Sequence, residues 1–329
     1  MKQIGLGLIG LGYIGKIHLQ NCLDLRPYAK LEAVADISKK ALNQTKKFGV
    51  KKAYQDYSQV LKDPNVDAVI IALPTHLHAT CAEAAAEAEK QVFLEKPLAR
   101  NVAEAQRIIS AAQKNSVKLM IGYPLRFNDE FRALKGKITN GSLGNVEIAR
   151  ATNISCGPFF HREQSYAPTP VPEWWFNKEL TGGGVLIDLG SHMINILRWY
   201  FGEITSIKSC FGYRFNLDFE DSANCIAKFE SGTTSIISVG WFSQDFTVEV
   251  ELFGTAGTTK TQRCATNRLM RAAQMLITKK SDLSRPHWAE LRYFVNCIIH
   301  DLPPSPTGED GLKDLEAITK AYENKIDLA

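Results

Sequence analysis

The chain has 329 residues, of which 45% are hydrophobic and 22% charged, and its formal net charge is +4. This length is sufficient for two domains that each bury a core. The small net charge and the scattered lysines and arginines indicate neither a nucleic-acid nor a membrane partner. Seven cysteines without a Cys-x-x-Cys pair are typical of reduced thiols in a cytoplasmic protein and argue against a structural zinc site. No apolar run approaches the roughly 20 residues that span a bilayer.

The beginning of the chain predicts a dinucleotide-binding unit. An apolar run at Ile4–Ile9 leads into Gly10-Leu-Gly-Tyr-Ile-Gly15, and a second apolar run ends at Asp36. Between a strand and a helix, such glycines permit a tight turn, the close approach of a pyrophosphate and close helix–strand packing. The start of the helix offers free N–H groups to phosphate, and the later acid accepts the hydroxyls of the adenosine ribose. A dinucleotide is therefore expected at Gly10, Gly12, Tyr13, Ile14, Gly15 and Asp36.

The same segment also imitates a signal peptide, because Met1 and Lys2 precede a mostly apolar stretch. Its glycine content, the charge at Lys16 and the lack of a small-residue cleavage site argue against export. We therefore expect a cytoplasmic protein.

Strand and helix patterns alternate through the first third of the chain. Apolar runs predict buried strands at Leu31–Ala35, Ala68–Leu73, Val92–Leu94 and Lys118–Ile121, and helical patterns cover Lys39–Phe48, Ala79–Glu89 and Val102–Lys114. This alternation predicts a doubly wound parallel sheet, that is, a Rossmann domain. Ligands of such sheets bind beyond the carboxyl ends of the strands. Two of these ends are marked by Leu73-Pro-Thr-His76 and by Glu95-Lys-Pro97.

The pattern changes after Tyr123. Helices are predicted at Arg126–Lys137, at Val185–Tyr200 after Gly182-Gly-Gly184, and near Trp288–His300 and Glu309–Asn324; strands are predicted at Val146–Ser155, Ile204–Phe215, Ala223–Phe229, Thr234–Gly240, Thr247–Gly254 and Thr258–Gln262. Consecutive strands with short turns predict a mostly antiparallel sheet. We therefore predict an α/β protein: a Rossmann domain at 1–123, and an α+β domain with a large, mostly antiparallel open sheet at 124–329. Whether the last helix packs back onto the first domain stays open.

Three polar side chains are candidates for catalysis. Lys96 follows a buried strand, where its ammonium can hydrogen-bond a substrate hydroxyl and stabilise the developing alkoxide. Asp188 and His192 are four residues apart on a predicted helix and share one face, so the carboxylate can orient the imidazole as a general base. Each also has an ordinary interpretation, as a surface lysine in a turn before proline and as an ion pair at a helix end. We expect no metal, because no third ligand has a recognisable spacing.

Together these motifs resemble the glucose–fructose oxidoreductase / inositol dehydrogenase / MocA (Gfo/Idh/MocA) family over nearly the whole chain. The resemblance rests on the glycine motif, Glu95-Lys-Pro97 and the run from Gly182 to His192, in that order, with Pro74-Thr-His-Leu-His78 and Gly122-Tyr123 between them. It implies NAD(P)-dependent hydride transfer between nicotinamide and a secondary alcohol or ketone of a sugar, cyclitol or sugar nucleotide. It implies catalytic roles for Lys96, Asp188 and His192, cofactor contacts at Leu73, Pro74, Thr75, His78, Glu95 and Lys96, and substrate contacts near Tyr123, Arg126, Phe127, Trp174, Trp175 and Asn195.

Two positions depart from the family's usual pattern. Trp174-Trp175 stands where members often have Trp-Arg, and Asn195 stands where Asp is usual. These departures put the substrate in doubt rather than the chemistry. Aromatic faces suit the C–H surfaces of sugars, and the arginine at 126 suits a phosphate or carboxylate, although each aromatic residue could equally belong to a core or an interface.

Several alternatives stay open. The Asp36 carboxylate favours NAD over NADP because it repels a 2′-phosphate, yet Ser38, Lys39 and Lys40 offer NADP an alternative site. Either Lys96 or His192 can be the base. The protein could also be a non-catalytic cofactor-binding regulator on this fold, or an enzyme that retains NAD as a catalytic intermediate.

A homodimer or homotetramer is expected from the second sheet. Helices that cover one side of a sheet leave the other face in need of burial. The predicted apolar set for that face is Ile236, Val239, Phe246, Val248 and Val250.

Overall fold

The computed structural model describes residues 3–158, 171–261 and 284–326. These residues form two compact units, one comprising 3–124 and 284–312, the other comprising 125–158, 171–261 and 313–326. The predicted boundary at 123 is adjacent to this division. The segment 284–312, which the sequence analysis gave to the second domain, belongs instead to the first unit. The physical reason is apolar burial, since Phe294 of this segment packs its ring 5.8 Å from that of Phe93.

Six parallel strands form the sheet of the first unit. They are β1 (Ile4–Ile9), β2 (Ala29–Ala35), β3 (Lys52–Tyr54), β4 (Ala68–Ile71), β5 (Gln91–Glu95) and β6 (Leu119–Gly122), in the spatial order β3-β2-β1-β4-β5-β6. Strands β1, β4 and β6 consist entirely of buried residues, which explains their continuous apolar sequences. Sequence patterns missed β3, because this half-buried edge strand has three residues and no apolar run.

The second sheet also has six strands. They are β7 (Val146–Ile154), β8 (Ile204–Gly212), β9 (Ser222–Phe229), β10 (Thr234–Gly240), β11 (Thr247–Gly254) and β12 (Gly257–Lys260), in the order β12-β11-β7-β10-β9-β8. Only the β7–β10 pair is parallel, so the sheet is mostly antiparallel. The two sheets confirm the predicted fold class. Gln262, the predicted end of the last strand, lies outside the described residues.

The described α-helices include one at each predicted place. Two short helices of four residues each were not predicted. The described α-helices are α1 (Tyr13–Asp24), α2 (Lys39–Thr45), α3 (Ser58–Leu61), α4 (His78–Glu87), α5 (Val102–Lys114), α6 (Asp129–Thr139), α7 (Lys178–Thr181), α8 (Ser191–Phe201), α9 (Ser284–Ile299) and α10 (Gly308–Glu323). Single 3-10 turns lie at Lys46–Phe48, Thr75–Leu77, Pro124–Phe127 and Glu173–Phe176, and a π-helical turn at Leu186–Gly190 precedes α8. None of the helices in the described ranges is long and apolar enough to cross a membrane.

The open face of the second sheet differs from the predicted apolar set. Val239 and Val250 are buried within their unit, whereas Ile236 is 43% exposed. Residues 236 and 239 lie three apart on one strand and therefore face opposite sides. The exposed face instead includes Ile148 and Ile226, which are 45% and 62% exposed, and Ile226 lies directly opposite Ile236 in the β9–β10 pair.

Candidate active site

The start of helix α1 is an open anion cradle. Gly12 caps the helix without any side-chain hydrogen bond, in contrast to α5, whose cap Asn101 accepts the N–H of Glu104. A Cβ atom added to Gly12 would meet nothing within 4 Å, but one added to Gly15 would lie 2.1 Å from the Gly10 carbonyl oxygen. Gly15 is therefore required by packing, and Gly12 leaves space beside free N–H groups. This arrangement fits the pyrophosphate of a dinucleotide.

Asp36 connects this cradle to the end of β2. Its Oδ2 accepts the Leu11 N–H at 2.6 Å, and its Oδ1 accepts the Ser38 N–H at 2.7 Å. Ile37 beside it is 87% exposed, and Tyr13 of the first α1 turn is 62% exposed, while Ile14 is half-buried. The half-buried carboxylate thus lies at the turn, where the resemblance expects the adenosine ribose to bind.

His78 holds together the two loops that follow β4 and β5. Its Nε2 lies 2.9 Å from the Leu73 carbonyl oxygen, and its Nδ1 lies 2.9 Å from that of Pro97. The ring is buried, and burial lowers the pKa of His78 although both carbonyl oxygens act in the opposite direction. His78 therefore holds the loop that carries Lys96 against the loop that follows β4. In the loop after β4, Pro74 is half-buried and Thr75 buried.

Glu95 faces the interior rather than the open edge of the sheet. Its Oε1 lies 2.6 Å from Nε2 of His18, a fully buried residue of α1. His287 and Glu290 of α9 complete a cluster of four residues. One ring nitrogen or carboxylate oxygen from each of them lies within 4.8 Å of the other three. Sequence reasoning missed this cluster, because its members are separated by up to 272 positions and only Glu95 belongs to a recognised motif.

The glycine run before α8 is explained by close packing. A Cβ atom on Gly184 would lie 2.0 Å from the Glu220 carbonyl oxygen, and one on Gly183 would lie 2.4 Å from the Tyr322 hydroxyl. The Glu220 carboxylate accepts the Leu186 N–H at 3.0 Å and the Tyr322 hydroxyl at 2.7 Å. Burial raises the pKa of Glu220, which these two hydrogen bonds oppose. Glu220 thereby anchors the π-helical turn that carries Asp188.

Asp188 and His192 are half-buried, as is Leu189 between them, in a segment that is mostly buried. Asp188 lies within the π-helical turn and His192 in the first turn of α8, and π-turns frequently occur at functional sites. The Trp241 indole N–H donates to Asp188 Oδ2 at 3.2 Å. The Trp241 ring lies 6.3 Å from that of Trp175, which lies 5.6 Å from that of Trp174. The predicted aromatic pair and Asp188 therefore share one neighbour, Trp241, which sequence reasoning missed.

Asn195 belongs to a buried polar network. Its Oδ1 accepts Nε–H of Arg126 at 2.8 Å, and its Nδ2 donates to Asp314 Oδ2 at 2.7 Å. Arg198 donates to the other oxygen of Asp314. Burial raises the pKa of Asp314, while the Arg198 charge and the Asn195 hydrogen bond oppose this shift. Asn195 thus links Arg126 to Asp314 within this network.

The predicted site residues fall into both units. Lys96 and the cofactor-contact set belong to the first unit, as does buried Tyr123, whereas Asp188, His192, the two tryptophans, Arg126, Asn195 and half-buried Phe127 belong to the second. No sequence signal identified Glu220, Trp241 or Asp314, because Glu220 precedes a strand, Trp241 follows one and Asp314 lies in a helix, each without a motif of its own.

A Rossmann sheet with an uncapped glycine turn and an acid at the end of β2 defines a dinucleotide-binding protein. Residues 4–123 match the model of the oxidoreductase family with an NAD-binding Rossmann fold, and residues 131–260 match the GFO/IDH/MocA C-terminal domain. The chain belongs to the Gfo/Idh/MocA family of oxidoreductases.

Named relatives cover the chain almost completely. It is 30% identical to the myo-inositol 2-dehydrogenase of Thermotoga maritima, over 97% of this chain and 96% of that one. It is 28% identical to the scyllo-inositol 2-dehydrogenase (NAD(+)) of Bacillus subtilis, over 98% and 95% of the two chains. The crystal structure of a probable dehydrogenase from Thermotoga maritima superposes with a TM-score of 0.83 at 27% identity, over 98% and 96%.

Proposed function

We propose that the protein is an NAD-dependent dehydrogenase that acts on a secondary alcohol of a cyclitol or sugar. The observation that carries the proposal is the retention of Lys96 at the end of β5 and of Asp188 and His192 at the π-turn before α8, in a chain of this family. A non-catalytic regulator has no need of these three side chains.

The cofactor would be held by the α1 turn and by Asp36. N–H groups at Gly12–Gly15 would bind the pyrophosphate, and Asp36, which already accepts two main-chain N–H groups, would accept the ribose hydroxyls. Bound NAD supplies the hydride acceptor in oxidation and, as NADH, the donor in reduction. We expect kcat/KM for NAD to exceed that for NADP at least tenfold, about 1.4 kcal/mol. An equal or higher kcat/KM for NADP would show that Ser38, Lys39 and Lys40 bind the 2′-phosphate instead.

The protein's own groups would manage the proton. An imidazole nitrogen of His192 would take the hydroxyl proton, and the Lys96 Nζ would donate a hydrogen bond to the developing alkoxide. Asp188, held by the indole N–H of Trp241, would orient His192. In the alternative form of the same mechanism, Lys96 is the base instead of His192.

An uncharged polyol is the favoured substrate. Trp174, Trp175 and Trp241 form a series of neighbouring rings that suits the C–H faces of a cyclitol or sugar. Arg126 is buried and its Nε–H donates to Asn195, so one of its donors is engaged within the protein. The inositol dehydrogenases among the relatives act on substrates of this kind by name.

A screen of inositols, sugars and nucleotide sugars with NAD and with NADP tests the proposal by absorbance of the reduced cofactor. We expect turnover on an uncharged polyol, lowered by on the order of 100-fold or more in the Lys96→Ala variant. NAD binding without turnover on any compound would favour the regulator. NAD released from the denatured purified protein, with turnover that needs no added cofactor, would favour an enzyme that retains it as an intermediate.

We also propose self-association through the exposed face at Ile148, Ile226 and Ile236. Three exposed β-branched residues in adjacent strands form an apolar patch that a second copy would cover. Sedimentation should show a dimer or tetramer at micromolar concentration, and Ile226→Lys should dissociate it. A stable wild-type monomer would contradict this proposal.

A further inference from the structure

A largely enclosed set of titratable groups, His18, Glu95, His287 and Glu290, lies behind the loop that carries Lys96, and only His287 among them is half-buried. His18 and Glu290 have no exposed surface, and Glu95 is 5% exposed. Among the described residues, Oε2 of Glu290 and Nδ1 of His18 have no hydrogen-bond partner. Taking such groups out of water without full hydrogen bonding opposes folding. The packing around them, with Phe93 and Phe294 in edge contact, is apolar.

Two pairs within the set are in contact: Nε2 of His18 lies 2.6 Å from Oε1 of Glu95, and Nδ1 of His287 lies 3.0 Å from Oε1 of Glu290. Burial opposes ionisation of Glu95, but the His18 hydrogen bond and the neighbouring charges of His287 and Lys96 outweigh it and hold the pKa of Glu95 below its usual value. On α9, burial and the nearby Glu95 raise the pKa of Glu290, and burial lowers that of His287. Glu95 is thus the acid of the set whose pKa is held low, and the residue that follows it in the chain is Lys96.

The pair of His18 and Glu95 joins two parts of the proposed cofactor site. His18 is on α1, one turn beyond Gly15, and Glu95 is the last residue of β5. The 2.6 Å contact thus connects the helix that begins at the pyrophosphate cradle to the strand end from which Lys96 projects.

We propose that His18 and Glu95 are a positioning pair for Lys96, a role that rests on the proposed function. The pair sets the position of the strand end relative to α1, and so presents the lysine correctly once the cradle is filled. Misplacement of a catalytic group by about 1 Å can cost on the order of 100-fold in rate, so a pair remote from the substrate can control turnover.

A metal ion is the rival occupant of the set. Ligand atoms around a tetrahedral zinc with bonds near 2.0–2.1 Å lie about 3.3 Å apart. The 2.6 Å separation of His18 Nε2 and Glu95 Oε1 is instead a hydrogen-bond distance. The geometry therefore favours a shared proton over a shared metal.

The test compares His18→Leu with Phe93→Leu, since both remove a buried ring from the same place but only the first breaks the pair. Both should lower Tm. At saturating NAD and substrate, His18→Leu should lower kcat at least tenfold while the Kd of NAD changes less than threefold, and Phe93→Leu should lower kcat less than threefold. His18→Gln, whose amide can still donate to Glu95, should recover most of the loss. Equal kcat in His18→Leu and Phe93→Leu would overturn the proposal.

A second measurement is independent of any substrate. Acetic anhydride labelling followed by peptide mass spectrometry reports the reactivity of Lys96, with exposed Lys114 as the internal reference. His18→Leu should change the Lys96 rate at least threefold relative to wild type, and Phe93→Leu should not. An unchanged rate overturns the positioning role even if the enzyme is active. A changed rate in a protein without dehydrogenase activity upholds the positioning role and rejects the proposed function. One equivalent of a bound transition metal in the purified protein would show that these residues bind a metal ion and do not form a positioning pair.

Discussion

The proposed site draws residues from both units, and its two halves are built in different ways. The cofactor half depends on main-chain groups within short segments: the Gly12 turn, the Leu11 and Ser38 N–H groups, and Asp36 between them. The half that carries Asp188 depends on side chains from distant segments, such as Trp241 and Glu220. Recognition by main chain requires only small residues at fixed spacing, whereas orientation of a side chain requires partners that the fold supplies. Substitutions at the glycine turn should therefore affect cofactor binding, and substitutions around Asp188 should affect side-chain orientation or stability.

The largest expected effects are at the reacting groups of both halves. Lys96→Ala and His192→Ala should each lower kcat by on the order of 100-fold or more, because these groups act mainly in the transition state. The Kd of NAD should stay within about twofold, since the α1 turn is unchanged. Steady-state kinetics and cofactor titration measure both quantities, with exposed Lys114→Ala and His300→Ala as controls. Near-normal kcat in both variants would refute the assignment.

The next effect concerns the network of the second unit. Asn195→Asp would place a carboxyl group against Asp314 in place of the donor amide at 2.7 Å, and we expect a loss of about 1–3 kcal/mol in the free energy of unfolding. The new acid would have a folded pKa above its unfolded value of about 3.9. The cost of ionising it is therefore absent below that pH and complete above the folded pKa.

Urea unfolding should accordingly show a smaller loss for Asn195→Asp at pH 4 than at pH 7. Asn224→Asp, on the exposed side of β9, is the control and should change stability little at either pH. A loss in the free energy of unfolding that does not depend on pH would mean that altered packing, rather than the charge of the new carboxylate, is the cause.

A smaller effect separates binding from folding in the cofactor half. Gly12→Ala adds a methyl group where nothing lies within 4 Å, so Tm should change by no more than about 2 °C. The methyl group would enter the space beside the free N–H groups and weaken NAD binding about tenfold, or 1.4 kcal/mol. Calorimetric titration measures the affinity, with Gly136→Ala, equally unobstructed in α6, as control. Unchanged affinity would show that the pyrophosphate does not bind at this turn.

The smallest effect is at Trp241. Trp241→Phe removes the indole N–H that Asp188 Oδ2 accepts at 3.2 Å and keeps an aromatic ring beside Trp175. A net hydrogen-bond contribution of about 0.5–1.5 kcal/mol predicts a fall in kcat of roughly twofold to tenfold. Asp188→Asn should lower kcat more than Trp241→Phe and less than His192→Ala. A larger loss in Trp241→Phe than in Asp188→Asn would indicate that the indole contacts the substrate directly.

The sequence alone was sufficient for the fold class, the glycine turn and the strand ends, because each depends on local patterns. Continuous apolar runs mark strands buried on both faces, and small residues mark close main-chain approaches. The runs at Ile4–Ile9 and Ala68–Ile71 are entirely buried. Gly15 and Gly184 are each packed against a carbonyl oxygen.

Only the tertiary structure decided which side chains are neighbours across long sequence distances. The burial of Glu95 against His18, the role of Asn195 between Arg126 and Asp314, and the membership of α9 in the first unit all depend on packing of separate segments. A strand register decided which isoleucines face outward. Such pairings arise from the total burial of apolar surface and the matching of polar groups over the whole chain, so no local window of sequence contains them.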